Sequence, residues 1–520
     1  MMGNVNIKIN NKEYNIPSGI TVHQAASSKG IDIPVMCENE ELEHFSSCMV
    51  CLVKDSKNGK LFPSCSMTVQ EGMEIITEDE EVLEARKISL ELLLSEHVGD
   101  CEAPCVTSCP AHMDIPEMNR LLVGDKYAEA LKLIKNDIAL PAVLGRICPA
   151  PCEAACRRKG IDGAVSICLL KRFAGDTDLN IENPFIPELA EDSGRKVAII
   201  GGGPAGLSAT YYLRKRGHAV SLFEKNEKLG GDLRVPELSK KLPEEVLDNE
   251  IRMILRTKVD VQTSVQVEKK MFESILTDYD AVIFAIGHGT EPVDWGVKKG
   301  FKGFEVSKPG YQTSNPKVFA VGGSIRESKM AIRALAQGKE VAFSVDQFFG
   351  NMEVIGEPKV FNSRFGKLVE KEHLEYLKES IVHDRIEPTN GIEGGLTAEE
   401  VKTEASRCMH CDCRKKNDCT LRDLSDKYDA NQRSFTADSR VETEKHIQHK
   451  SIVYEPAKCI KCGICVRLTK KYGEKYGLSF IGRGFDVRIG VPFNEGLEVG
   501  LQQTAIKVAE ACPTGALSKK

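Results

Sequence analysis

Nineteen cysteines dominate the chemistry open to this 520-residue chain, and they fall into four groups. Cys37, Cys48, Cys51 and Cys65 are spaced C-x10-C-x2-C-x13-C. His97, Cys101, Cys105 and Cys109 are followed, after a gap, by Cys148, Cys152, Cys156 and Cys168. Cys408, Cys411, Cys413 and Cys419 are spaced C-x2-C-x-C-x5-C. Cys459, Cys462 and Cys465 are spaced C-x2-C-x2-C and are completed by a remote Cys512-Pro513. Thiolates on loops at such spacings enclose iron–sulfur clusters, because soft sulfur donors match iron–sulfide units. With His97 the cysteines supply four ligands for each of five clusters: one [2Fe–2S] at the first group and about four [4Fe–4S] elsewhere. No cysteine is left over as a nucleophile. Zinc competes wherever C-x2-C occurs, chiefly at the compact 408–419 knot.

A second chemistry begins at Lys196-Val-Ala-Ile-Ile200, an apolar strand, followed by Gly201-Gly-Gly203-Pro204-Ala205-Gly206, a helix over Leu207–Arg216 and a strand Ala219–Phe223 ending at Glu224. This is G-x-G-x-x-G between a strand and a helix, with an acid about 20 residues on. The glycines permit a tight turn and close approach of a pyrophosphate. The helix N-terminus offers amide donors, and Glu224 can hold ribose hydroxyls. Lys225, Gly230 and Gly231 continue the site, and Gly287, Gly322 and Gly323 end two later strands.

Other elements must position these residues. Residues 5–22 alternate as a hairpin, with Asn10-Asn11-Lys12 at its turn, and Thr21 to Lys29 reads as helical. A short strand is expected over Met49–Val53, a charged helix over 80–96 and a helical stretch over Glu117–Lys135. An α/β pattern runs from 195 to about 350, and 351–400 reads as a linker with one helix at 371–380.

Hydrophobic residues make up 41% and charged residues 28%, the balance of a globular protein, and the length asks for several domains. The net charge of −6 gives no reason to expect nucleic acid or an anionic membrane as partner. No apolar run approaches a membrane span. The start, Met1-Met2-Gly3-Asn4-Val5, lacks a leader pattern, so a cytoplasmic, reducing setting is expected, where dense cysteine reads as metal binding rather than disulfides.

Gly30-Ile-Asp-Ile-Pro34, Cys48-Met-Val-Cys51 and Pro63-Ser-Cys65 resemble the N-terminal [2Fe–2S] domain of complex I 75-kDa-type subunits and iron-only hydrogenases. The resemblance implies a β-grasp fold. The tail around Cys459–Cys465 and Cys512 resembles their ferredoxin domain. Cys109-Pro-Ala-His-Met-Asp-Ile-Pro116, Gly145-Arg-Ile-Cys-Pro149 and Cys152-Glu-Ala-Ala-Cys156 resemble the glutamate synthase small subunit. They also resemble dihydropyrimidine dehydrogenase and the large subunit of NADH-dependent ferredoxin:NADP oxidoreductase. That family crosses its ligands between halves. The resemblance implies one cluster on Cys101, Cys105 and Cys156, completed by His97, which matches the His-x3-Cys of complex I-type subunits. It implies another on Cys109, Cys148 and Cys152, completed by Cys168. A similar cysteine phrase to that at 408–419 follows the flavin domain in some relatives and favours a four-iron cluster there.

Leu229-Gly-Gly-Asp-Leu233, Asp280-Ala-Val-Ile-Phe-Ala-Ile-Gly287 and Val318-Phe-Ala-Val-Gly-Gly323 resemble the same family and imply FAD. Two departures stand out. Only 34 residues separate Gly287 from Gly322, too few for the family's NADPH-binding domain, and Gly323 replaces its aspartate.

The expected fold class is therefore multidomain α/β and α+β. It comprises a β-grasp domain (1–80), a helical double [4Fe–4S] domain (81–185), a Rossmann-like FAD domain (194–350), the linker (351–400), a cysteine-rich segment (401–430) and a ferredoxin-like domain (450–520). The resemblances imply an electron-relay subunit of a hetero-oligomeric oxidoreductase. Its partners would be an NADH-binding FMN/Fe–S subunit of the complex I 51-kDa type and, on the other side, ferredoxin or a hydrogenase, formate dehydrogenase or NADPH-binding subunit. Flavin-based bifurcation is compatible with this set of cofactors. Two alternatives remain: a glutamate synthase-like small subunit feeding a dedicated reductase, and an Fe–S scaffold with a degenerate flavin domain.

Overall fold

The computed structural model describes residues 3–42, 45–288, 295–435 and 440–520. Met1 and Met2 lie outside them, as does part of the short Gly287–Gly322 segment. The chain forms two compact units, one made of Met1–Ala103, Val360–Glu379 and Met409–Lys520, the other of Pro104–Lys359 and Ser380–Cys408.

In the first unit, β1 (Asn4–Ile9) and β2 (Lys12–Pro17) form the expected hairpin. Asn10 and Asn11 make its turn at φ 50° and 65°, a region asparagine tolerates. Helix α1 (Val22–Ser27) opens with Thr21 and Gln24 in a reciprocal capping box. Strands β3 (Leu52–Asp55), β4 (Leu61–Pro63) and β5 (Glu74–Ile76) complete a five-stranded sheet of order β2-β1-β5-β3-β4. Ile7, Ile9, Ile16, Val22, Ala25, Val53 and Ile75 fill its core. The strand expected over Met49–Val53 begins only at Leu52, because Met49 sits at φ 57° in a turn that turns the chain between Cys48 and Cys51.

Helix α2 (Glu80–Glu96) spans the expected range. Asp79 accepts from the Val82 amide at 2.9 Å, and Glu80 and Glu81 complement the helix dipole. The helix stops at His97. The C-terminal part of this unit pairs the strands Ile452–Tyr454 and Leu517–Lys519 antiparallel, with the helices Ile464–Lys471 and Ala505–Ala511 beside them.

The second unit opens with short helices: α3 (Pro104–Ser108), α4 (Ile115–Val123), α5 (Tyr127–Lys135), α6 (Pro141–Ile147), α7 (Pro151–Ala154) and α8 (Ile167–Leu179). The single helical stretch expected over Glu117–Lys135 is two helices, broken at Gly124-Asp125, where Asp125 takes φ 57°. A parallel sheet follows, with β6 (Lys196–Ile200), α9 (Pro204–Lys215), β7 (Ala219–Phe223), α10 (Glu244–Leu255), β8 (Asp260–Gln262), α11 (Lys269–Asp278) and β9 (Ala281–Phe284). β10 (Lys299–Gly300) and β11 (Gly303–Phe304) make a small ribbon before β12 (Val318–Ala320) and α12 (Ala331–Phe349). The sheet order is β12-β9-β6-β7-β8, all parallel; β6, β7, β9 and β12 are largely apolar and buried, while the edge strand β8 exposes Asp260 and Gln262. Helix α9 begins at Pro204, a turn earlier than the expected Leu207, since proline suits the first helical position.

The 351–400 segment is more than a linker. Its helix Glu370–Leu377 packs within the first unit, while the helices Gly391–Gly394 and Ala398–Ser406 belong to the second. Among the described residues no helix is long and apolar enough to cross a membrane.

Candidate functional site

All nineteen cysteines are free thiols. Cys37, Cys48, Cys51 and Cys65 meet in one knot. The Cys51 and Cys65 sulfurs are 2.9 Å apart, and none of the four is more than 4% exposed. Cys48 and then Cys65 hold the Cys37 thiol well below its usual range, while hydrogen bonding to Cys37 pushes Cys48 and Cys65 up. Four buried soft sulfur donors this close together suit the ligand set of an iron–sulfur cluster. Ser46 Oγ lies 3.4 Å from the Cys65 sulfur.

In the second unit Cys109, Cys148, Cys152 and Cys168 gather. Cys148 and Cys152 flank the Pro149-Ala-Pro151 turn before α7, and Cys168 lies on α8. Hydrogen bonding to Cys148 lowers the Cys168 thiol, but Cys152 and burial outweigh it and leave it at about 12. Lys171 stands one turn further along α8, 3% exposed. Burial works to lower its pKa, but Cys168, Cys148, Cys152 and Cys109 together hold it above the usual lysine value. A buried ammonium among four thiols is a pre-set countercharge for a thiolate cluster. The sequence reading missed it; the i, i+3 spacing from Cys168 is the signal that could have found it. Cys105 on α3 and Cys156 after α7 are half-buried against the same core, and Cys408 ends the helix stretch at 398–406.

In the first unit Cys459, Cys462, Cys465 and Cys512 ring a pocket with Ile460, Ile464, Ile489 and Leu517. Burial pushes Cys459 up to about 11 and Cys462 to about 12, a cost that binding of thiolate to iron removes. The Lys461 amide, at φ 56°, points to the Cys459 sulfur at 3.3 Å. Cys101 lies in this unit too. Its carbonyl accepts from the amide of Cys413 at 3.1 Å, and Cys413 and Cys419 are its thiol neighbours. Cys411 is half-buried. His97 is 8% exposed and its Nδ1 has no partner. No three described His, Cys, Asp or Glu side chains close on one point as the ligands of a single metal ion would. The thiols of a cluster are shared out over several irons, so their donor chemistry, burial and crowding are the relevant fit.

The glycine loop opens a cleft of about 2340 Å³ at the carboxyl ends of β6, β7, β9 and β12. Gly201, Gly203, Pro204, Ala205, Glu224, Lys225, Gly231, Gly287, Gly322 and Gly323 line it. The first amides of α9 have no helical partner, and Gly203 supplies no side-chain cap, which leaves donors for a pyrophosphate. Gly206 acts by packing, since a Cβ there would stand 1.9 Å from the Gly201 carbonyl oxygen. Gly230 donates its amide to Gly202 at 2.9 Å.

Glu224 is more tightly engaged than its expected ribose role implies. Its two oxygens accept from the Gly202 amide at 2.7 Å and the Asn226 amide at 2.8 Å. A carboxylate has about four acceptor positions, so two remain for hydroxyls. The missing aspartate at position 323 also has a reason. A Cβ there would lie 2.7 Å from the Gly287 carbonyl carbon, so the backbones of the two strand ends meet where a side chain would stand. Lys302, Lys308, Arg326, Lys329 and Arg333 line the cleft together with Asp232, Glu237, Glu305 and Glu327, so the glycine loop and the first amides of α9 are its phosphate-directed feature. The cleft thus suits an extended dianionic dinucleotide. FAD bound there would exchange one or two electrons.

Family models match four stretches: a 2Fe-2S iron–sulfur cluster binding domain at 3–80, dihydropyrimidine dehydrogenase domain II, 4Fe-4S cluster, at 77–183, pyridine nucleotide-disulphide oxidoreductase at 157–338, and the NADH-quinone oxidoreductase subunit 3 ferredoxin-like domain at 450–518. The chain is 38% identical over 227 residues to the NADP(+)-dependent formate dehydrogenase subunit beta of Moorella thermoacetica, covering 39% of this chain and 32% of that protein. It is 37% identical over 209 residues to the NADPH-Fe(3+) oxidoreductase subunit beta of Geobacter sulfurreducens, covering 39% and 31%. It is 34% identical over 184 residues to the glutamate synthase [NADPH] small chain of Bacillus subtilis, covering 35% and 37%. The matches span about a third of those relatives' lengths. The chain is an oxidoreductase polypeptide that joins a [2Fe–2S] domain, four-iron domains and a flavin-type pyridine nucleotide-disulphide oxidoreductase domain.

Proposed function

We propose that the chain is an electron-relay subunit. It would carry electrons between an NADH-oxidising FMN/Fe–S subunit of the complex I 51-kDa type and a second redox partner: ferredoxin, or a hydrogenase, formate dehydrogenase or NADPH-binding subunit. In this reading Cys37, Cys48, Cys51 and Cys65 hold the [2Fe–2S] cluster, and Cys109, Cys148, Cys152 and Cys168 hold a four-iron cluster beside Lys171. Cys459, Cys462, Cys465 and Cys512 hold another, and the cleft around Gly201–Gly206 takes FAD.

The observation that carries the reading is the connection from β9 to β12. Its described residues form only the β10–β11 ribbon, where a self-sufficient reductase needs a second nucleotide-binding fold. A chain with many one-electron centres and, among the described residues, one dinucleotide cleft needs another polypeptide to oxidise or reduce nicotinamide. Two of its relatives are named as beta subunits, which supports a place in a hetero-oligomer.

The test is anaerobic purification of the affinity-tagged chain from its own cells, followed by mass spectrometry and activity with NADH, NADPH and a viologen dye. Co-purification of a nicotinamide-binding flavoprotein, with nicotinamide-dependent activity only in its presence, is expected. Full NADPH-linked activity from the chain alone would overturn the reading.

A further inference from the structure

The cysteines of the 408–419 knot need not serve one cluster. We propose that a four-iron cluster is held by His97, Cys101, Cys413 and Cys419, four residues of the first unit drawn from opposite ends of the chain. The proposal deepens the electron-relay reading and rests on it.

Three of the four are thiols in direct relation. The Cys413 amide donates to the Cys101 carbonyl at 3.1 Å. Cys101, Cys413 and Cys419 are 7%, 7% and 6% exposed, and each thiol is an electrostatic neighbour of the others. Cys413 and Cys419 both lie against the turn that follows Cys512. The Cys413 sulfur stands 2.2 Å from where a Gly515 Cβ would be, and the Cys419 sulfur is 3.8 Å from the Pro513 carbonyl oxygen. The fourth corner is His97. The Val98 amide donates to the Ala457 carbonyl at 2.8 Å, and Gly99 packs on the Lys458 stem, which also passes Gly515 beside Cys413. The His97 side chain is 8% exposed and stands beside Lys458, and its Nδ1 is buried with no partner. A buried imidazole nitrogen left without a hydrogen-bond partner is a donor open to a metal. Lys458 is itself buried, paired with Glu455 at 2.6 Å, and supplies positive charge at the thiols as Lys171 does in the other unit.

The experiment uses the anaerobically purified full chain, its iron content and the EPR spectrum of its reduced form. Cys101→Ala and Cys413→Ala should each remove the same EPR signal and about four irons, and the double variant should remove no more than either single. His97→Cys should keep the iron and lower that cluster's midpoint potential, because a thiolate replaces a neutral imidazole. If Cys101→Ala and Cys413→Ala remove different signals and the double variant loses about eight irons, the two residues serve separate clusters and the proposal fails. The [2Fe–2S] signal of Cys37, Cys48, Cys51 and Cys65 is the internal control. Where an alanine variant loses that signal by misfolding, the corresponding serine variants decide by the same criterion of shared or separate loss. A wild-type chain without iron would instead defeat the relay reading itself.

Discussion

Lys171 stands one turn beyond Cys168 on the same helix, buried, with four thiols for company. A fixed positive charge beside a cluster favours the reduced form, which carries one more negative charge. At an effective dielectric constant of about 20, one charge several ångströms away is worth about 2 kcal/mol. For one electron that is about 90 mV.

Replacing Lys171 with Met should therefore lower the midpoint potential of that one cluster by about this amount, leaving the other signals in place. An EPR-monitored redox titration reads it. An unchanged potential would mean that the ammonium is screened from the cluster.

Glu224 ties the glycine loop to the end of β7 through the Gly202 and Asn226 amides. Hydrogen bonds to a charged group contribute about 1.5–3 kcal/mol each. Glu224→Ala should weaken flavin retention by about 10- to 100-fold, and Glu224→Gln by less, because the amide oxygen still accepts. Released flavin fluorescence in a dilution series gives the dissociation constants.

Gly206→Ala places a methyl group on the Gly201 carbonyl, and Gly323→Asp drives a side chain into the Gly287 backbone. Overpacking of this kind costs about 1–3 kcal/mol. Both variants should purify with less flavin and with normal iron, since no cysteine is among the nearest neighbours of a Cβ at either glycine. Full flavin occupancy in Gly323→Asp would show that the two strand ends can part.

The Glu379 side chain, 6% exposed, pairs with Lys445 and Arg414. Burial alone would raise its pKa, but the two cations outweigh it and hold it at about 2. Its folded value is thus depressed below the ordinary carboxylate range. The stability it contributes is complete above about pH 4.5 and is lost as the pH falls toward 2. Glu379→Gln should destabilise the protein at neutral pH by about 3–5 kcal/mol, because the buried Lys445 ammonium loses its charged partner, and should flatten the acid limb of the stability curve. Thermal unfolding between pH 3 and pH 8 tests both.

Local features were the legible ones. Helix α2, the β1–β2 hairpin and the Gly201–Gly206 turn follow from caps, alternation and glycine spacing, all set within a few residues. The break at Gly124-Asp125 was masked by a helical pattern that continues on both sides of it. The division of 351–400 between two units depends on tertiary packing of polar segments with little periodicity. The closeness of Cys101 to Cys413 is not written in any spacing, because a chain with nineteen cysteines offers many groupings and only the fold selects among them. Lys171 and Lys458 escaped notice because buried lysines look, in sequence, like any surface lysine.

The most direct test of the electron-relay account is the iron, acid-labile sulfide and flavin content of the anaerobically purified chain. The account predicts about 18 irons and one FAD per chain, two irons from the [2Fe–2S] cluster and four from each of four others. Iron limited to about two per chain, or a cleft that carries no flavin, would contradict it and leave the cysteine-rich regions and the glycine loop as scaffold.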